Sequence, residues 1–195
     1  MKYLLLMLVT FLSGCTVSVL PEETKSYFEK YDAVEVFDQI SERYENYCGP
    51  ALPEKTKGFG FRMLSYGGIG SNFRVFELLE VENGDGIIIQ KKGFSNTTIE
   101  RIDKVSAVRL KELKNNELKL DEIWNWELPD PNPNTDIIHD TLTFLIEVHD
   151  NGNRHLVIRS SASKDQLFWT LIEAISEIER RSEQGASHNE RKRSS

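Results

Sequence analysis

A few side chains in this sequence have the type and spacing to do chemistry. Cys15 follows Leu12, Ser13 and Gly14, so its thiol nucleophile sits behind small residues at the end of an apolar run. Ser161 and Lys164 stand three positions apart, a spacing at which lysine assists a serine nucleophile, but the companion elements of such a site are missing. Ser163 and Gln166 at the same place have the spacing of a capping box that opens a helix, and no catalytic residue is assigned. His149 and His155 are expected to face each other near Glu147 across the last hairpin. A zinc site needs three or four ligands and no third histidine is close, so exposed histidines are expected and no metal is assigned. In His139-Asp140 and His149-Asp150 the two residues are adjacent, and on a strand they point to opposite faces, which excludes a catalytic relay. The glycines at 58, 60, 67, 68 and 70 lack the lysine and helix start of a phosphate loop, so no cofactor is assigned. Trp124 and Trp126 would share a face if their stretch is extended. Two aromatics so placed either finish a core or anchor a protein or glycan partner, and they are the candidate partner-binding residues.

These residues need elements to position them. Over 26–47, Tyr27, Tyr31, Val34, Phe37, Ile40, Tyr44 and Tyr47 recur every three or four residues, the period of an amphipathic helix. Ser26 and Glu29 have capping-box spacing, and Gly49 and Pro50 supply the stop. The opposite face, with Glu35, Asp38, Glu42 and Glu45, reads as solvated. From Gly58 the period changes to two: 59–66, 73–82 and 86–92 read as strands, with turns at Gly67, Gly68 and Gly70 and at Asn83, Gly84 and Asp85. A two-residue Asn83-Gly84 loop sets Glu82 against Asp85. A three-residue loop pairs Val81 with Ile87, Leu79 with Ile89 and Glu77 with Lys91, and is the expected register.

The hairpin of 142–150 and 154–161 poses the same choice. A two-residue Asn151-Gly152 loop faces Val148 with His155 and Ile146 with Val157, whereas a three-residue loop faces Val148 with Leu156 and Ile146 with Ile158. Matching the buried face favours the second, with Asn153 left-handed. Residues 97–112 and 117–126 are read as strand, and Pro129, Pro131 and Pro133 make 128–136 an irregular loop. Over 163–180, Leu167, Phe168, Leu171, Ile172, Ile175 and Ile178 form the stripe of a packed helix. Residues 182–195 are polar and are expected to be disordered, and Arg191, Lys192 and Arg193 either solubilise this tail or meet an anionic lipid headgroup.

At the other end, Lys2 precedes an apolar run from Tyr3 to Phe11 that is too short to span a bilayer, the form of a cleavable export signal. With Leu12, Ser13, Gly14 and Cys15 it resembles the lipobox of bacterial lipoproteins. The resemblance implies a signal peptide over 1–14, diacylglycerol on the Cys15 thiol, cleavage before that residue and further acylation of the new amino terminus. Two or three acyl chains anchor stably. Thr16 stands where the enterobacterial inner-membrane retention rule wants Asp, which implies an outer-membrane lipoprotein in the periplasm. Residues 15–25 are then a lipidated tether of at most about 35 Å.

Removing the fourteen residues before Cys15 takes away one positive charge, Lys2, and leaves 181 residues with 23 basic and 31 acidic side chains, a formal charge of −8. That length supports one core, assigned to a single domain over 26–181, and the acidic balance argues against nucleic acid. Cys48, the remaining thiol, is either buried or paired with another molecule in an oxidising envelope, and burial is expected.

The elements predict an α+β fold: an N-terminal amphipathic helix, an antiparallel β-sheet or partly open barrel, and a C-terminal capping helix. Over about residues 58–180 the order of elements, with Trp169 in the last helix, resembles the pleckstrin-homology-like fold. Phosphoinositide binding does not follow, because 67–72 holds no basic residue. The expected function is a lipid-anchored, non-enzymatic binding or assembly module whose partner is the membrane plus an envelope protein or glycan. The competing expectation is an envelope hydrolase whose site forms only in the fold. Composition sets no oligomeric state.

Overall fold

The computed structural model describes residues 20–30, 34–67, 72–94, 97–127 and 142–193, the side chains of Phe94 and of 185–193 excepted. Cys15, Tyr31, His139, Asp140, Gly68, Gly70 and the proline loop lie outside the described residues.

The helical pattern near the N-terminus forms two helices rather than one: α1 (Glu22–Lys30) and α2 (Val34–Cys48). Phe28, Phe37, Ile40, Tyr44 and Cys48 are buried, while Val34 is exposed. Ser26 falls inside α1, so the Ser26–Glu29 capping box does not form at a helix start. Leu20 is already fully buried, five residues beyond Cys15, so the ordered body reaches into the stretch assigned to the tether. A short helix α3 (Leu52–Lys55), with Pro53 in its first turn, leads into the sheet.

Strands β1 (Gly60–Gly67), β2 (Phe73–Glu80), β3 (Gly86–Phe94) and β4 (Thr97–Val105) form a meander. The chain then passes through α4 (Ala107–Glu112), a π turn (Leu113–Glu117) and a 3-10 segment (Leu120–Asn125). It returns beside β1 as β5 (Leu142–Asp150) and β6 (Asn153–Ser160), and ends in α5 (Gln166–Arg193). The result is an α+β fold around an open six-stranded antiparallel sheet of order β4-β3-β2-β1-β5-β6. The backbone of α5 continues as helix into the 182–195 tail that the sequence reads as disordered.

Alternate sheet residues enter two cores. On one face Phe61, Phe76, Leu78, Ile146, Val148 and Val157 pack against Leu113, Leu120 and Ile123 and against Phe168, Leu171, Ile175 and Ile178 of α5. On the other, Leu64, Val75, Leu145, Leu156 and Ile158 meet Leu20 and α1 and α2. A sheet covered on both faces loses the apolar-polar alternation from which register is read.

Both expected registers differ from those found. Between β2 and β3, Leu79 lies opposite Ile87 and Glu77 opposite Ile89, with Glu80 and Gly86 closing the ladder. Asn83 and Gly84 take φ of 73° and 77°, and the Val81 N–H donates to the Asp85 carbonyl at 2.8 Å in register with the ladder, which closes the turn over 82–84. The shift is by two residues, so every side chain keeps its face and burial does not distinguish the two pairings. Between β5 and β6, Val148 lies opposite His155 and Ile146 opposite Val157, the two-residue alternative. Asn151 and Gly152, with φ of 48° and 85°, make the twisted turn that asparagine-glycine favours. With apolar residues wanted on both faces, turn chemistry decides.

Of the stretches read as strand, 97–105 is β4, but 107–112 is helix and 120–125 is 3-10. Leu118, Leu120 and Ile123 are buried anchors whose spacing fits a tight helical turn as well as a strand.

Candidate functional site

The segment carrying the two tryptophans is placed by its own caps and anchors. Ser106 opens α4, its hydroxyl accepting the Arg109 N–H at 3.3 Å. After the π turn Lys119 takes a left-handed φ of 48°, redirecting the chain into the 3-10 segment, which Leu120 and Ile123 pin to the sheet. Trp124 therefore sits at the turn end of the β5–β6 hairpin and Trp126 further along β6 beside α5, both partly buried on the core of that face.

They do not form one aromatic face. The Trp124 ring stands 5.9 Å from the His155 ring, and with Asp150, Asn151, Asn153, Arg154 and His155 it lines an open depression of about 490 Å³. Trp126 lines a narrower cleft of about 100 Å³ with Glu117, Lys119, Glu122 and Leu167, Thr170 and Leu171 of α5. Its carbonyl lies 2.9 Å from His155 Nε2, and the Arg159 guanidinium stands 5.5 Å over its ring while donating to the Glu127 carbonyl at 3.0 Å. Trp126 is thus a joint between the 3-10 segment and β6, whereas Trp124 presents its ring to the depression.

His149 and His155 are on opposite faces of the sheet, a consequence of the observed register: His149 pairs with Arg154, and His155 with Val148. His149 is buried against the Gly58 backbone, and burial holds its pKa below the usual histidine range. Among the described residues no three His, Cys, Asp or Glu side chains converge as a metal site. The Ser161 hydroxyl accepts the Leu142 N–H at 3.2 Å, and Lys164 is exposed. The helix cap next to them is Asp165, not Ser163: its Oδ1 accepts the Leu167 and Phe168 N–H groups at 2.9 and 3.2 Å. The Ser163 hydroxyl instead accepts the Asp165 N–H, and its carbonyl takes the Trp169 indole N–H at 2.8 Å.

The sequence reading missed a row of charges buried under α2 and α3. Arg62 on β1 lies between Glu77 on β2 and Glu147 on β5, and all three are fully buried. Arg62 Nε donates to Glu77 Oε1 at 2.7 Å, and its Nη2 donates to the Pro50 carbonyl at 2.8 Å. Arg62 Nη1 donates to the Tyr44 hydroxyl, which donates to Glu147. Lys55 closes on both Glu77 oxygens at 2.8 and 2.9 Å, and Arg154 Nε reaches Glu147 Oε1 at 2.5 Å. Three cations thus surround two carboxylates. Burial pushes the Glu147 carboxyl up to about 7, against the lowering by Arg154. Burial also raises the neighbouring Cys48 thiol to about 12, which keeps it protonated and unreactive. The signal for this row was a charge flanked on both sides by apolar residues in each of three strands: Phe61-Arg62-Met63, Phe76-Glu77-Leu78 and Ile146-Glu147-Val148. Each carboxylate is met by at least one cation, and through Tyr44, Lys55 and the Pro50 carbonyl the row fastens α2 and α3 to the sheet.

No protein-family model matches the chain, and no curated protein matches it either.

Proposed function

We propose that the protein is a lipid-anchored envelope lipoprotein, held in the membrane through Cys15, which acts as a non-enzymatic binding or assembly module. The observation that carries the anchor is the run from Lys2 through Leu12, Ser13 and Gly14 to Cys15. With the anchor there, the burial of Leu20 sets the reach: five residues span at most about 18 Å, so the body would ride close to the bilayer surface. Thr16 points to the outer membrane as the destination.

The depression at the end of the β5–β6 hairpin is the surface we assign to the partner. It offers the Trp124 ring and the His155 imidazole as flat contact area, bordered by Asp150, Asn151 and Asn153 as hydrogen-bonding groups. A rigid aromatic flanked by short polar side chains suits an envelope protein or a glycan. The test is crosslinking of the full chain in its native membranes, with identification of the captured partner, for wild type and for Trp124→Ala. One reproducible partner, lost in the variant while the membrane-bound amount is unchanged, supports the assignment. Equal capture by both proteins overturns it.

A further inference from the structure

We propose that β4 is a homodimerisation edge, through which two copies pair antiparallel with Ile102 opposite Ile102 of the second copy, joining two six-stranded sheets into one. This goes beyond the binding-module reading and does not depend on it.

β4 ends the sheet, and among the described residues nothing pairs with its outer side. β6 ends the sheet on the other side, and there His155 and Arg159 bond the backbone of residues 126 and 127 across one face of the strand. The ladder of β4 with β3 is continuous from Thr97 to Val105, without proline or glycine in β4, so the outward N–H and C=O groups form a regular row. Ile99 and Ile102 are 66% and 58% exposed on this strand.

Charges on an edge strand ordinarily deter pairing. Here their order decides which pairing is deterred. The strand reads Thr97, Thr98, Ile99, Glu100, Arg101, Ile102, Asp103, Lys104, Val105. Residues equidistant from the centre of a two-fold antiparallel pair lie opposite each other. About Ile102 that sets Arg101 against Asp103, Glu100 against Lys104 and Ile99 against Val105, each twice. On one face, Arg101 and Asp103 already bond within a copy at 2.8 and 3.0 Å, so the second copy's pair would close a ring of alternating charge. The other face carries the two Ile102 side chains between Glu100 and Lys104 pairs. Recentring by one residue, on Arg101 or on Asp103, puts identical charges face to face, which is destabilising. The pattern admits this register and rejects its neighbours.

The test is sedimentation equilibrium of the full chain in mild detergent. Wild type is expected to have the mass of a dimer. Arg101→Asp or Asp103→Arg alone replaces two attractive oppositions by two repulsive ones and is expected to weaken the dimer about tenfold or more, whereas the double variant R101D/D103R restores it. The swap E100K/K104E, with its two singles, repeats the logic independently on the other face, and circular dichroism checks that each variant is folded. Monomeric wild type, folded single variants that dimerise unchanged, or a folded double variant that fails to recover would each overturn the proposal.

Discussion

Arg62 and Glu77 lie directly across from each other on β1 and β2, with Nε and Oε1 2.7 Å apart and both side chains without solvent exposure. Removing one partner of such a pair strands the other charge in the core. Arg62→Met keeps much of the volume and is expected to cost about 3 to 5 kcal/mol, a large part of a typical stability of about 5 to 15. Urea unfolding of the variant measures it. A midpoint within error of wild type would mean that Lys55 and Arg154 hold the two carboxylates without Arg62.

Glu147 makes stability depend on pH in a direction opposite to an ordinary surface carboxylate. Its folded pKa is raised from 4.5 to about 7, so between those values the folded state holds a proton that the unfolded state has lost. Stability from this group is therefore full below about pH 4.5 and falls as pH rises through 7. His149, with a lowered pKa, slopes the other way but is common to wild type and variant. Glu147→Gln is thus expected to remove the downward component, visible as a wild-type-minus-variant difference that declines from pH 4.5 to 7 in urea titrations. A difference that is flat or rises over that window would contradict the assignment.

The Asn151-Gly152 turn gives a purely conformational test. A Cβ on Gly152 meets nothing within 4 Å, yet φ is 85°, so Gly152→Ala is expected to cost about 1 to 2 kcal/mol through backbone strain alone. Gly93→Ala is a steric contrast, since its Cβ would fall 1.9 Å from the Phe73 ring, which stacks on Tyr47 with centroids 4.2 Å apart. Thermal melting of both separates the two mechanisms: loss of near-ultraviolet tyrosine signal is expected for Gly93→Ala only.

Trp126 and Trp124 are expected to part company on mutation. Trp126→Ala loses the ring under Arg159 and against the core, at about 2 kcal/mol, below the roughly 3 to 5 of a fully buried tryptophan because it is only partly buried. Trp124→Ala leaves the joint to β6 intact and is expected to act mainly on partner capture. Melting curves in which Trp124→Ala is the more damaging would place Trp124, not Trp126, at the structural joint.

The fold class was legible because its elements differ in period. Phe168, Leu171, Ile175 and Ile178 recur as a helix stripe, and all four are buried on the sheet. Register was not legible, because β5 buries Leu145 on one face and Ile146 on the other, so either pairing brings apolar residues together. The 3-10 segment escaped because Leu118, Leu120 and Ile123 fit more than one period, and with it went the shared face of Trp124 and Trp126. The burial of Cys48 was read from its residue type. Partners such as Tyr44 and Glu147, 103 residues apart, meet only through strand order, and that is information a local pattern does not carry.

The central claim, an anchor at Cys15, is tested most directly by the intact mass of the protein extracted from membranes, compared between wild type and Cys15→Ser. Wild type is expected to begin at residue 15 and to carry the mass of a diacylglycerol with or without a further acyl chain. The variant is expected to lack that mass and to be either uncleaved or released from the membrane. A wild-type chain without lipid mass, or a variant with the same mass shift and the same membrane retention, would contradict it.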